Sequence, residues 1–304
     1  MPRSARSARP VVGIVAPSGF VADSGVLDRA AGVFAERGWE VEAGESCFAR
    51  DTRFAGPDDL RAQELQRFCT DRRLALVLAA RGGYGLTRLL PRLDFDAIGE
   101  AGRLACGYSD FSAFNLALLA RTGAMSLHGP SATDFGASVP CAETIEGFFE
   151  TFDRWRQDGS FCAAFEADGP DVNARGTLWG GNLALVCALL GTPYLPRVRG
   201  GILFLEDVNE PAYKIERMLI QLEQANVLQR QSAILLGCFD PVPSTDNDNG
   251  FSLETVVNGL RHRLAVPVIR GLPFGHVPSK LTLPYGARAT LQVASSRASL
   301  GVRG

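Results

Sequence analysis

Lysine is almost missing from this 304-residue sequence: of 31 basic residues, all but Lys214 and Lys280 are arginine. Histidine is nearly as scarce, with His128, His262 and His276 alone. There is no HExxH helix and no Cys/His cluster at ligand spacing, so no metal site is expected. Seven cysteines (Cys47, Cys69, Cys106, Cys141, Cys162, Cys187 and Cys238) are scattered and never spaced CxxC. This argues for free buried thiols in a reducing compartment rather than a disulfide framework. No apolar run approaches the roughly 18 residues of a membrane span. The run Val11 to Ala16, behind the basic start MPRSARSARP, stops at Pro17. It is shorter than the apolar core of about 7–15 residues that a signal peptide needs. It reads as a first strand behind a loose tail. A net charge of -2 offers neither a nucleic-acid groove nor a polybasic membrane surface. The expected protein is cytoplasmic, with no nucleic-acid or membrane partner.

What is present is ordinary globular material: 46% hydrophobic and 21% charged residues, enough for a sizeable core in one large or two modest domains. Strand and helix patterns alternate through the first half. VVGIVA, Trp39–Ala43, the continuous apolar run LALVLAA (74–80) and RLACGY (103–108) read as strands, with helical periods between them. Such alternation predicts a parallel sheet covered by helices. The stretch 161–175, with Asp-Gly pairs on either side of Ala163 and Ala167 and little periodicity, reads as a linker or hairpin. Beyond it GGILFLEDV, SAILLGCF and VPVIRGLPFG read as strands, PAYKIERMLIQLEQANVL and SLETVVNGLRHRLA as helices, and ARATLQVA as the final strand. The expected fold is therefore α/β: an N-terminal Rossmann-like parallel-sheet domain (1–160), a linker (161–175) and a smaller mixed α/β C-terminal domain (176–304).

Chemistry gathers where strands end. In Gly107-Tyr108-Ser109-Asp110 a buried strand gives way to a helix, a turn that exposes a serine hydroxyl beside free helix N–H groups. Locally, helix capping by Ser109 or Asp110 explains the same residues better. Arg81-Gly82-Gly83-Tyr84-Gly85 follows the strand 74–80 and fits a second oxyanion donor better than a phosphate loop, since neither GxGxxG nor the Walker pattern is present. Arg81 is a candidate for binding a substrate carboxylate but reads better as holding this loop. A serine nucleophile needs a base. His262 sits on a charged helix, His276 is slightly preferred to His128, and Lys280 is the alternative of a Ser-Lys enzyme. Glu206 or Asp207, at the end of the apolar strand LFLED, could supply the acid.

These segments together resemble the LD-carboxypeptidase family of serine peptidases, which includes the microcin C self-immunity peptidases. The resemblance runs over nearly the whole chain, through RGGYGLTRLLPRLD, CGYSDFSAFNLALLARTG, LHGP, GTLWGGNLALVCALLGTPYLP, ILFLEDVNEPAYKIERMLIQL and GLPFGHVPSKLTLPYGA. It implies a Ser-Glu-His triad of Ser109, Glu206 and His276. It also implies oxyanion donors at the backbone of Gly83 and Asp110, a role for His128 that is either structural or a support behind the triad, and substrate proximity for Trp179 and Asn182. No cofactor is implied. The implied activity is release of terminal D-alanine from a cytoplasmic murein tetrapeptide by a homodimer. Cleavage of peptidyl or aminoacyl nucleotides, with Trp179 stacked on a base, and a non-catalytic ligand-binding role are the alternatives. The chain departs from the family pattern at FSAFN after Asp110 and at Val277, which leaves the shape of the substrate pocket open.

Overall fold

The computed structural model describes residues 9–23 and 25–303. The basic N-terminal tail lies outside them, apart from Arg9 and Pro10. In chain order the first half contains β1 (Val11–Val15), α1 (Gly25–Glu36), β2 (Glu40–Ala43), α2 (Asp58–Thr70), β3 (Leu74–Ala79), α3 (Phe95–Ala101), β4 (Leu104–Cys106), α4 (Ser112–Thr122), β5 (Ser126–His128), α5 (Ala132–Phe135) and α6 (Ala142–Asp158). The second half contains β6 (Phe161–Glu166), β7 (Val172–Asn182), α7 (Leu183–Ala188), β8 (Ile202–Glu206), α8 (Ala212–Gln224), β9 (Ala233–Leu236), α9 (Leu253–Arg263), β10 (Val268–Arg270), β11 (Leu283–Tyr285), β12 (Arg288–Ala294) and β13 (Arg297–Val302).

Two sheets result, ordered β11-β5-β4-β3-β1-β2 and β10-β9-β8-β7-β12-β13-β6. The first is parallel except for β11, and the second is parallel from β10 to β7 and antiparallel beyond. Burial follows topology. β8, covered on both faces, is buried at every position, whereas β12 alternates because one face meets solvent. On one side of the first sheet, Phe34, Phe135, Phe148 and Phe152 form an aromatic core with Val12 and Ile14. On the other side, Phe111 and Phe114 share a second core with Leu178 and Phe204 of the second sheet and with Phe274 in the loop after β10. The two sheets are thus joined through apolar side chains, and both direct parallel strand ends toward that junction.

Three sequence expectations change. Residues 161–175 are not a linker: β6 pairs antiparallel with β13, and β7 begins at Val172. ARATLQVA is not the final strand, because β13 returns against it through Ser295 and Ser296, both at positive φ (51° and 60°). The C-terminal portion also gives β11 to the first sheet, with Leu283 opposite His128. The cysteines are unpaired, but only Cys47, Cys69, Cys106 and Cys187 are buried; Cys162 is exposed.

Candidate active site

β4 ends at Cys106, and Gly107 follows where no side chain fits: a Cβ there would lie 2.7 Å from the Phe111 ring and 2.8 Å from the Ala79 methyl. The chain turns at Ser109, whose φ of 60° is left-handed. This conformation costs a non-glycine residue on the order of 1–2 kcal/mol and persists only when its surroundings impose it. A short 3₁₀ turn then leads into α4, with no side-chain cap at the start of either segment. The capping explanation of Ser109 and Asp110 is therefore not what the structure contains. The Asp110 carboxylate accepts instead from Ser18 Oγ (2.6 Å) and the Leu86 N–H (2.9 Å). Burial pushes its pKa up.

The glycine loop after β3 lies against the serine. A Cβ on Gly82 would sit 2.6 Å from Ser109 Cβ and 2.7 Å from its Oγ, and 3.4 Å from the Asp110 nitrogen. Gly83 adopts φ of 114°, open in practice only to glycine. Among the described residues, the N–H groups of Gly83 and Asp110 have no hydrogen-bond partner. Behind the loop, the fully buried Arg61 donates to the carbonyls of Pro17, Gly56 (3.1 Å) and Gly85 (3.4 Å) and pairs with Asp58.

The second sheet presents the acid. Glu206 closes β8 with no exposed surface, and Asn182 lies opposite it in register on β7. His276 follows β10 on a loop tied to the end of β9: the Leu272 N–H donates to Leu236 O (3.3 Å) and the Cys238 N–H to Phe274 O (2.7 Å). His276 Nδ1 lies 2.8 Å from Glu206 Oε2. With Nδ1–H donating to the carboxylate, Nε2 is the free ring nitrogen, the tautomer a general base requires. Its side chain is 20% exposed, so the free nitrogen can reach a solvent-filled cleft. Among the described residues, Ser109 and His276 are not hydrogen-bonded to each other. The ring of Tyr108, the residue before Ser109, packs 5.1 Å from the imidazole, centroid to centroid. Catalytic hydrogen bonds are often loose before substrate closes the site. Beside this ring pair, Tyr108, Asp134, Thr144, His276, Val277 and Lys280 line a cavity of about 380 Å³.

The other candidates are committed elsewhere. Asp207 accepts from Asn182 Nδ2 (2.9 Å) and from the N–H groups of Ala184 (3.0 Å) and Val208 (2.9 Å), and burial raises its pKa. Asn182 caps α7 through the Leu185 N–H. It lies beside the acid, but its side chain is occupied by these two bonds. His128 is fully buried among Phe204, Phe274 and Tyr285 and is bonded to Asn115 Nδ2 (3.0 Å). Burial, reinforced by the neighbouring His276, pushes its pKa down to about 3, so it is a neutral core residue. His262 is exposed on α9. Lys280 is buried, paired with Asp134, and 3.3 Å from Tyr108 Oη.

Trp179 corrects the sequence reading. It is 1% exposed, its indole N–H donates to Gln231 Oε1 (3.0 Å), and it borders a separate cavity with Leu190, Arg197 and Arg230. Tyr108 and Gly82 lie within the two loops that the sequence singles out but have no role assigned there, and Asp134 has no signal in the sequence. Among the described residues, no group of three or more His, Cys, Asp or Glu side chains could hold a metal ion.

Comparison with known proteins gives the family. Residues 12–129 match the LD-carboxypeptidase N-terminal domain and residues 175–291 the C-terminal domain. The chain is 32% identical over 292 residues to a probable murein peptide carboxypeptidase of Bacillus subtilis, covering 94% of this chain and 90% of that one. It is 30% identical to the murein tetrapeptide carboxypeptidase of Pseudomonas aeruginosa, covering 96% and 97%. The crystal structure of muramoyltetrapeptide carboxypeptidase from Oxalobacter formigenes superposes with a TM-score of 0.90 at 40% identity, over 97% of this chain and 99% of that one. The microcin C7 self-immunity protein MccF, bound to glutamyl sulfamoyl guanosine, shares the fold at 22% identity, with a TM-score of 0.87 over 98% of this chain and 97% of that one. The chain belongs to the LD-carboxypeptidase family and is a serine-type carboxypeptidase.

Proposed function

We propose that the protein releases terminal D-alanine from murein tetrapeptide by cleaving the L,D bond before it. The observation that carries the proposal is the fully buried Glu206 carboxylate 2.8 Å from His276 Nδ1, with Tyr108, the residue before a serine held at φ 60°, packed against the same imidazole. His276 Nε2 takes the proton of Ser109 Oγ as the oxygen attacks the scissile carbonyl. The N–H groups of Gly83 and Asp110 hold the oxyanion, each worth roughly 3 kcal/mol. The protonated His276 gives its proton to the leaving amine of D-alanine, and Glu206 balances the imidazolium charge meanwhile. Water, activated by the same imidazole, hydrolyses the acyl-enzyme and regenerates Ser109.

A Ser-Lys mechanism is disfavoured because Lys280 is already paired with Asp134. The nucleotide-conjugate reading loses the base-stacking role of Trp179, whose ring is covered. The proposal includes a cytoplasmic location and a homodimer. No helix among the described residues is long and apolar enough to cross a membrane. The test is release of D-alanine from L-Ala-γ-D-Glu-meso-diaminopimelate-D-Ala by wild type and by Ser109→Ala. Release by wild type alone is expected, and release by neither rejects the murein assignment. Fractionation and sedimentation analysis test the location and the dimer.

A further inference from the structure

A carboxypeptidase substrate carries a charge that the triad does not address: the carboxylate of the residue to be released. That group lies within about one residue's reach, roughly 3.8 Å between Cα atoms, of the carbonyl under attack. Its counter-charge must therefore be close to Ser109. Lys280 is neutralised by Asp134, and Arg61 is fully buried against Asp58 and three carbonyls. Arg50 and Arg53 are exposed, their guanidinium groups over the rings of Phe20 (4.1 Å) and Tyr84 (5.7 Å).

Arg81 differs from all of these. It immediately precedes Gly82, which touches Ser109, and it is half-buried. Its Nη1 donates to Phe20 O (3.0 Å). Its Nε lies 3.7 Å from where a Cβ on Gly19 would be, and its Nη2 lies 3.7 Å from where one on Gly83 would be. The guanidinium thus lies beside two glycines next to the proposed nucleophile, with no carboxylate paired to it among the described residues. One face of the fork is fixed by a backbone carbonyl and the remaining donors are uncommitted. Forked donors of fixed orientation match a carboxylate better than an ammonium does.

We propose that Arg81 binds the terminal carboxylate of the peptide and so makes this enzyme cut one residue from a free C-terminus. The inference rests on the peptidase reading above. The experiment compares the tetrapeptide with its C-terminal D-alaninamide counterpart for wild type, Arg81→Met and Arg81→Lys. Wild type should prefer the free acid. Arg81→Met should lose about 100-fold in kcat/KM on the acid, mainly through KM, and less than threefold on the amide, with Arg81→Lys recovering part of the loss. Equal losses on acid and amide would mean that Arg81 only holds its loop, and would overturn the inference. Turnover of neither peptide by wild type rejects the murein reading separately. The inference is then judged by calorimetric titration of Ser109→Ala with dipeptides ending in D- or L-residues and with their amides. Carboxylate-dependent binding that disappears when Arg81→Met is added upholds it. Equal affinity for acid and amide, or binding of neither, overturns it.

Discussion

Adding a single methyl group at Gly82 is the sharpest perturbation this site offers. The backbone of Gly82 is not in the left-handed region, so alanine is admissible there and any effect must come from space. That space is already taken by Ser109, whose Cβ and Oγ would lie 2.6 and 2.7 Å from the new carbon. Carbon atoms in contact sit about 3.5–4.0 Å apart, so the loop and the serine must separate by roughly 1 Å. Overpacking of this kind costs about 1–3 kcal/mol, a fall in Tm of only a few degrees for a chain of this length. The catalytic cost is larger, since a misplacement of about 1 Å loses on the order of 100-fold in rate. Gly82→Ala should therefore fold and yet release D-alanine at least 100-fold more slowly. Ser109 should also react more slowly with a fluorophosphonate. Gly102→Ala is the control: it strains a left-handed glycine at the end of α3 with nothing within 4 Å, so it should lower Tm and leave kcat alone. A Gly82→Ala enzyme within threefold of wild type in both turnover and labelling would refute the contact and the role given to this loop.

Other perturbations separate positioning from stability. Glu206→Gln keeps the shape of the acid but cannot fix the imidazole tautomer, so kcat should fall by roughly 10⁴ with KM little changed; a loss confined to KM counts against the triad. Arg61→Met leaves Asp58 with Arg88 alone and removes the buried donor to the carbonyls of Pro17, Gly56 and Gly85, so urea denaturation should show a loss of roughly 1–3 kcal/mol, with Arg61→Lys intermediate. His128 predicts a pH effect. Its folded pKa, about 3, lies below the ordinary value of 6.5. The unfolded chain therefore binds a proton below pH 6.5 that the folded chain refuses. Its contribution to stability is full above pH 6.5 and is lost as pH falls toward 3, by roughly 1.4 kcal/mol per unit. Urea denaturation at pH 7.5 and 5 should show a drop in wild type about 2 kcal/mol larger than in His128→Gln, and equal drops would place the imidazole in a wetter site.

The parallel strands were legible because burial on both faces writes continuous apolar runs such as LALVLA and ILFLE into the chain. The antiparallel part was not. β6 and β7 are half-exposed, and the turn into β13 uses Ser295 and Ser296 rather than the glycine or asparagine that usually marks positive φ. α6 did carry a signal, with Ile145, Phe148, Phe149 and Phe152 buried at helical spacing. Of the proposed site residues, those at strand ends could be found locally, but the choice between His276 and His128 could not. Both follow short strands, and only the three-dimensional surroundings give one a carboxylate and the other a ring of aromatics. Trp179, expected near substrate only from the resemblance, is buried with its indole on Gln231, a partner 52 positions away in sequence that no local pattern marks.

The proposed nucleophile and the proposed acid and base belong to different sheets, so something must hold the sheets in register. The segment from His276 to β11 does this. It leaves the second sheet with His276 and enters the first beside β5. On the way its backbone is stitched to α6, with Thr144 Oγ1 donating to Pro278 O (2.7 Å) and accepting from the Lys280 N–H (2.9 Å). Lys280 then reaches Asp134, which also receives the Ser131 N–H (2.8 Å) at the start of α5, and Tyr108, the residue before the proposed nucleophile. A shift between the sheets would have to break a buried ion pair, two backbone–threonine bonds and the β11–β5 pairing together. The proposed alignment of His276 with Ser109 thus depends on the same few residues that bury Lys280.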